Sequence, residues 1–154
     1  LKVEYINPFI LAATSVLEMV LGAAPTKGPV TMQPATFTSQ QCNVVCGVTG
    51  QAHGQVIYGM SLTTGDKIAS HMLGQPIKTF DQLAASAIAE LGNMISGHAM
   101  SKLSECDYIC DITPPTIIRG KDVKISTLSI PAIVIPLGTD HGEMFITVGL
   151  QEKK

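Results

Sequence analysis

Glu90 and Asn93 stand three positions apart in the run Ser86-Ala87-Ile88-Ala89-Glu90-Leu91-Gly92-Asn93-Met94-Ile95-Ser96-Gly97. The apolar residues around them recur at helical spacing: Ala84, Ile88, Leu91, Ile95 and Ala99 fall on one face that would pack inward. Ser86, Glu90, Asn93 and Gly97 gather within about 60° on the opposite side. A carboxylate can pair with a cation, and a carboxamide both donates and accepts, so it can aim a water without removing its proton. A plain solvated helix face would use Lys, Glu, Gln and Ala. Here Asn sits mid-helix, and Gly92 and Gly97 each cost about 1 kcal/mol relative to Ala. Glycine inside a helix usually serves packing or close approach. An E-x-x-N pair is a weak pattern by itself.

Other chemistries find less support. The four cysteines form two equal spacings, Cys42-x3-Cys46 and Cys106-x3-Cys110. A zinc site tolerates that spacing, but Cys42 and Cys46 fall in a β-like run. An extended strand holds residues four apart at about 13 Å, so reduced, partly buried thiols are expected and no metal site is assigned. His53 and His141 fall in presumed turns, His71 and His98 on helices, with no acidic partner at ligand spacing. Gly47-Val48-Thr49-Gly50 lacks the lysine of a phosphate-binding loop. The methionines are read as core fillers, with Met94 beside Asn93 a candidate partner contact.

The chain has 154 residues, enough for one domain over 1–154. Hydrophobic residues make up 45% but charged residues only 14%, against roughly 25% in an average domain. A surface so short of charge suggests that a partner or second copy covers part of it. The net charge of −2 and pI near 6.1 leave no broad basic footprint for nucleic acid. The longest apolar candidate, residues 6–24, is interrupted by Asn7, Pro8, Thr14, Ser15 and Glu18, so no membrane span is expected. The first residues carry no signal-peptide pattern. A soluble, cytoplasmic domain is the expectation.

The elements that must position the Glu90–Asn93 helix follow from punctuation. Asn7-Pro8 reads as the cap and first position of a helix ending near Gly22. Residues 23–41 read as loop, with one short edge strand around Val30. Strands follow at 42–49 and 55–61, joined by a Gly50–Gly54 turn, and then a short helix capped by Thr63 or Thr64 and ending at Gly74. Asp81 caps the long helix, which runs to about Ser104. Strands are expected at 108–112, 123–130, 132–136 and 143–150, with a break at Thr113-Pro114-Pro115 and with Pro131 and Pro136 marking strand ends or edges. Hairpins instead of βαβ crossovers give an α+β fold, an antiparallel sheet with helices on one face. His53-Gly54-Gln55-Val56-Ile57 and His141-Gly142-Glu143-Met144-Phe145 echo each other. Chance-like turns and a duplicated helix-plus-strands unit both account for the echo.

The run Ser86-x3-Glu90-x2-Asn93 resembles the signature of the CheC/CheX/FliY family of chemotaxis phosphatases. Asp111-Ile112-Thr113-Pro114-Pro115-Thr116, Gly120-Lys121-Asp122 and the opening Asn7-Pro8-Phe9-Ile10 are similar to the CheX branch, so the likeness spans nearly the whole chain. The resemblance implies a fold of duplicated helix-plus-strands units. It also implies hydrolysis of the aspartyl phosphate of a CheY-type response regulator, Asn93 orienting the attacking water and Glu90 docking on a regulator lysine. Ser86, Met94 and Gly97 would border the contact. No cofactor is bound by the chain, since the regulator supplies Mg2+, and a homodimer paired through edge strands is implied. With Gly22 aligned on Gly97, Ser15 and Glu18 stand where Glu90 and Asn93 stand, so one centre per chain is expected. The family's proline falls at Thr116, just after Pro114 and Pro115. The competing class is a non-catalytic module that docks on a response regulator or flagellar switch.

Overall fold

The computed structural model describes residues 3–34, 36–127 and 130–152. In chain order the elements are α1 (Val3–Leu21), β1 (Thr26–Lys27), β2 (Thr31–Gln33), β3 (Thr36–Thr38), β4 (Cys42–Gly50), β5 (Ala52–Met60) and α2 (Leu62–Leu73). These are followed by α3 (Gln82–Glu105), β6 (Cys110–Ile112), β7 (Thr116–Arg119), β8 (Lys124–Ser126), β9 (Ala132–Thr139) and β10 (Gly142–Glu152). The main sheet is antiparallel in the order β1-β9-β10-β5-β4-β6, with β2 also on β9 and β7 also on β4. A separate ribbon pairs β3 with β8. The expected α+β architecture is therefore present.

Alternation along the central strands sets the core. Cys42, Val44, Cys46 and Val48 of β4, Tyr58 and Met60 of β5, and Met144, Ile146, Val148 and Leu150 of β10 are all buried, as a period of two requires. Against them pack Phe9, Ala13, Val16 and Leu17 of α1 and Ile88, Leu91 and Ile95 of α3 in one cluster. The duplicated unit is visible as two hairpins, β4–β5 and β9–β10, joined through β5 and β10 from Met60↔Met144 to Ala52↔Glu152. A long helix precedes each hairpin. The short echo is not equivalent in space, because His53 lies within β5, paired with Gln151, and His141 lies in the turn before β10.

Several boundaries differ from expectation for physical reasons. α1 starts at Val3, so Pro8 is inside the helix and Asn7 is not its cap. Tyr5 explains the extension: it is buried and meets Tyr108 edge-on at 5.1 Å, although Pro8 offers the Glu4 carbonyl no amide proton. Glu4–Leu21 is long and apolar enough to cross a membrane by length and composition, with a mean hydropathy of 1.2. This corrects the expectation that no segment qualifies; in the fold its inward stripe is core. The cap of α2 is Ser61, whose hydroxyl accepts from the Thr64 amide, not Thr63 or Thr64.

The hairpin turn is tighter than Gly50–Gly54, since β5 already begins at Ala52. Gln51 binds both polar groups of the Ile109 backbone, which ties the tip to the approach to β6. Gly54 serves close approach, for a Cβ there would lie 1.9 Å from the Gly149 carbonyl oxygen. Pro136 is inside β9 and takes the edge alternative, not the strand end. Its carbonyl accepts from Gly28, so its nitrogen faces the outer side, where pairing lapses between β1 and β2. The strand expected at 123–130 is only β8; residues 128 and 129 lie outside the described residues. β2 answers the short edge strand expected around Val30; β1, β3 and β7 were not foreseen as strands, and two to four residues are too few to show a period.

Candidate functional site

α3 is the central element of the site. Asp81 caps it, its carboxylate accepting from the Ala84 amide at 2.8 Å, which satisfies one of the orphan donors of the first turn. Ala84, Ile88, Leu91, Ile95 and Ala99 are buried, as the periodicity predicts. Ser86, Glu90 and Gly97 are exposed and Asn93 is half-buried, so the four residues share the outward face. Glu90 and Asn93 lie one turn apart, a spacing that sets Cβ atoms roughly 5–6 Å apart. Among the described residues none hydrogen-bonds either side chain. Both are therefore available to an incoming surface. Gly97 has nothing within 4 Å of a built Cβ and leaves that face open. Met94 is only half outward, since it packs against the core.

The inward side of the same turns carries polar contacts that the sequence reading missed. Ser96 is fully buried and its hydroxyl lies 2.7 Å from the Tyr58 hydroxyl. Burial raises both the Tyr58 phenol and the Cys46 thiol, with the Ser96 bond opposing; neither is set up as a nucleophile. Cys42 is pushed up to about 11, mainly by burial. The one available signal was a serine set in the apolar stripe beside Ile95.

The Thr113–Pro115 break sits at the sheet edge beside this region. Val44 pairs with Ile117, Val45 with Thr116 and Val48 with Ile112. Between them Gly47 exchanges hydrogen bonds with Thr113, through the Thr113 amide at 2.9 Å and hydroxyl at 2.8 Å. The break thus lies one residue along β4 from the buried Cys46. The Gly22–Gly97 alignment has no counterpart in space, because Gly22 ends α1 with φ of +82° and Gly97 lies inside α3. α1 does carry Glu4 and Asn7 at the same spacing, both exposed, but Glu4 accepts a hydrogen bond from Tyr108 at 3.2 Å. His71 and His141 come together, with ring centroids 5.4 Å apart. Among the described residues no three His, Cys, Asp or Glu side chains converge as a metal site.

Comparison with known proteins bears on this helix directly. Residues 42–138, which contain Glu90, Asn93 and the Thr113–Pro115 break, match the family described as chemotaxis phosphatase CheX. A CheY-P phosphatase CheX from Thermotoga maritima is 36% identical over 142 residues, 91% of this chain and 90% of that protein. The chain belongs to the CheX family. A CheX chemotaxis protein from Desulfovibrio desulfuricans superposes with a TM-score of 0.86 at 29% identity, covering 98% of this chain and 100% of that one. CheX from Borrelia burgdorferi, solved in a complex with CheY, BeF3 and Mg2+, gives 0.84 at 27% identity over 98% and 100%.

Proposed function

We propose that this chain hydrolyses the aspartyl phosphate of a CheY-type receiver, with Asn93 orienting the attacking water and Glu90 docking on the receiver. The observation that carries the reading is the outward, unengaged Glu90–Asn93 pair on α3, in a chain 36% identical to a CheY-P phosphatase. An acyl phosphate is already reactive, so positioning and electrostatics suffice. The Asn93 carboxamide oxygen accepts a hydrogen bond from the water while its amide donates one to a phosphoryl oxygen. The water oxygen bonds to phosphorus and the bond from phosphorus to the aspartyl oxygen breaks. Aspartate and inorganic phosphate leave, the water's protons ending on phosphate and solvent. Mg2+ belongs to the receiver, as the Borrelia complex holding CheY and Mg2+ suggests, and this chain contributes no metal ligand.

Glu90 forms a charge-assisted pair with a receiver lysine, which strengthens as the interface sheds water. Ser86, Met94 and Gly97 border the contact, their small or flexible side chains permitting close approach. One centre per chain is assigned to α3, since Glu4 on α1 is already engaged by Tyr108. The chain works in the cytoplasm, a reducing compartment in keeping with its free cysteines. It forms a homodimer through an edge strand. The exposed Met32, on the outer strand β2, supports that pairing. The test is the decay of phosphate from phosphorylated chemotaxis receivers of the same cell, with and without this protein. Faster decay with at least one receiver is expected; unchanged decay with all of them would leave only a docking module.

A further inference from the structure

Gly92 immediately precedes Asn93 and points the opposite way, into the core. A Cβ built there would lie 2.7 Å from Val44 Cγ1 and 3.2 Å from Tyr58 Cδ2. Val44 is fully buried in β4 and, being β-branched, has little rotamer freedom with which to yield. Tyr58 is held in place by its hydroxyl on Ser96, one turn further along α3. Alanine would otherwise favour a helix at this position, so the glycine is kept for the approach it permits. The middle of α3 therefore rests on the sheet at two points, the bare Cα of Gly92 on Val44 and Ser96 on Tyr58.

We propose that Gly92 is a positioning residue for Asn93. Its lack of a side chain lets α3 sit against Val44 at the depth from which the Asn93 carboxamide reaches the phosphoryl group and its water. The Tyr58–Ser96 bond fixes the rotation of the same turn. This inference rests on Asn93 being the water-orienting residue. Relieving a 2.7 Å carbon contact to an ordinary one of 3.5–4.0 Å moves the helix by about 1 Å. A misplacement of that size at a reacting centre costs on the order of 100-fold in rate.

The test uses the full chain and a phosphorylated receiver, with kcat and KM measured separately and receiver affinity read with beryllofluoride-loaded receiver. Gly92→Ala is expected to lower kcat by about 10- to 100-fold while KM and affinity change little. Adding Val44→Ala, which makes room for the new methyl, is expected to restore kcat to within a few-fold of the parent. With kcat taken per folded molecule, a purely structural role for Gly92 leaves kcat at its wild-type value. Ser96→Ala, which leaves Gly92 and Val44 untouched, is expected to lower kcat several-fold. Wild-type kcat in a folded Gly92→Ala overturns the proposal, as does a loss that Val44→Ala fails to relieve or one confined to KM. Should Gly92→Ala not fold, an unaltered kcat in Ser96→Ala overturns it. Asn93→Ala run alongside separates the two claims, since wild-type turnover there removes the water-orienting role itself.

Discussion

Glu90 and Asn93 have different jobs, and substitutions at each should show it. Removing the Glu90 carboxylate deletes a charge-assisted contact made in the docked state, so Glu90→Ala is expected to raise KM for the phosphorylated receiver by about tenfold. The difference from wild type should narrow as salt is added, because an interface charge pair is screened. Steady-state kinetics at two ionic strengths check this; an unchanged KM at low salt would remove the docking role. Asp66 tests burial instead. One of its carboxylate oxygens is buried without a partner, and its pKa is raised from 3.8, first by desolvation and then by the nearby Asp81. A raised value means the folded state holds the proton more tightly. This group favours folding fully below pH 3.8, and that benefit is lost as pH rises through the raised value. Asp66→Asn is therefore expected to raise Tm at pH 7, with the gain shrinking toward pH 4. An equal shift at both values would contradict the assignment. At this scale the sequence disclosed the outward pair, because helical period alone sorts inward from outward residues. The seat of α3 on Val44, Tyr58 and Ser96 stayed hidden, since it depends on which strands pass beneath the helix.

α3 was the most legible element, for its length gives a long periodic record and Asp81 marks its start. Asp81→Ala is expected to cost about 1 kcal/mol of stability through the lost bond to the Ala84 amide. It should leave kcat unaltered, because the cap lies about three turns from Asn93. Denaturant unfolding and turnover on the same preparation check both halves, and a fall in kcat would show that the cap also sets the site. The start of α1 was misread because local preference at Asn7-Pro8 yields to the burial of Tyr5 against the core. Pro136 was legible as an edge position, and a proline is tolerated inside β9 because the neighbouring strands leave a gap there. Of the shortest strands only β2, the edge strand beside Val30, was legible, since partners distant in sequence define the others.

Considered as a whole molecule, the chain has few charges, 14% of its residues, and Met32 is 69% exposed on an outer strand. Edge pairing between two copies would cover that strand. Sedimentation at micromolar concentration is expected to give twice the 16.3 kDa of one chain; a single 16.3 kDa species would remove the dimer. The duplication of hairpin and helix was half legible. The histidine-glycine echo suggested it, each copy lying between two β runs after a long helix, but the echo itself is not its true register. The measurement that tests the central claim most directly is phosphate loss from a phosphorylated CheY-type receiver with Asn93→Ala, receiver affinity being measured in parallel. Acceleration by the wild-type chain should fall by about 100-fold in the variant while affinity is largely kept. Equal acceleration by both chains would contradict the assignment of Asn93 as the residue that aims the water.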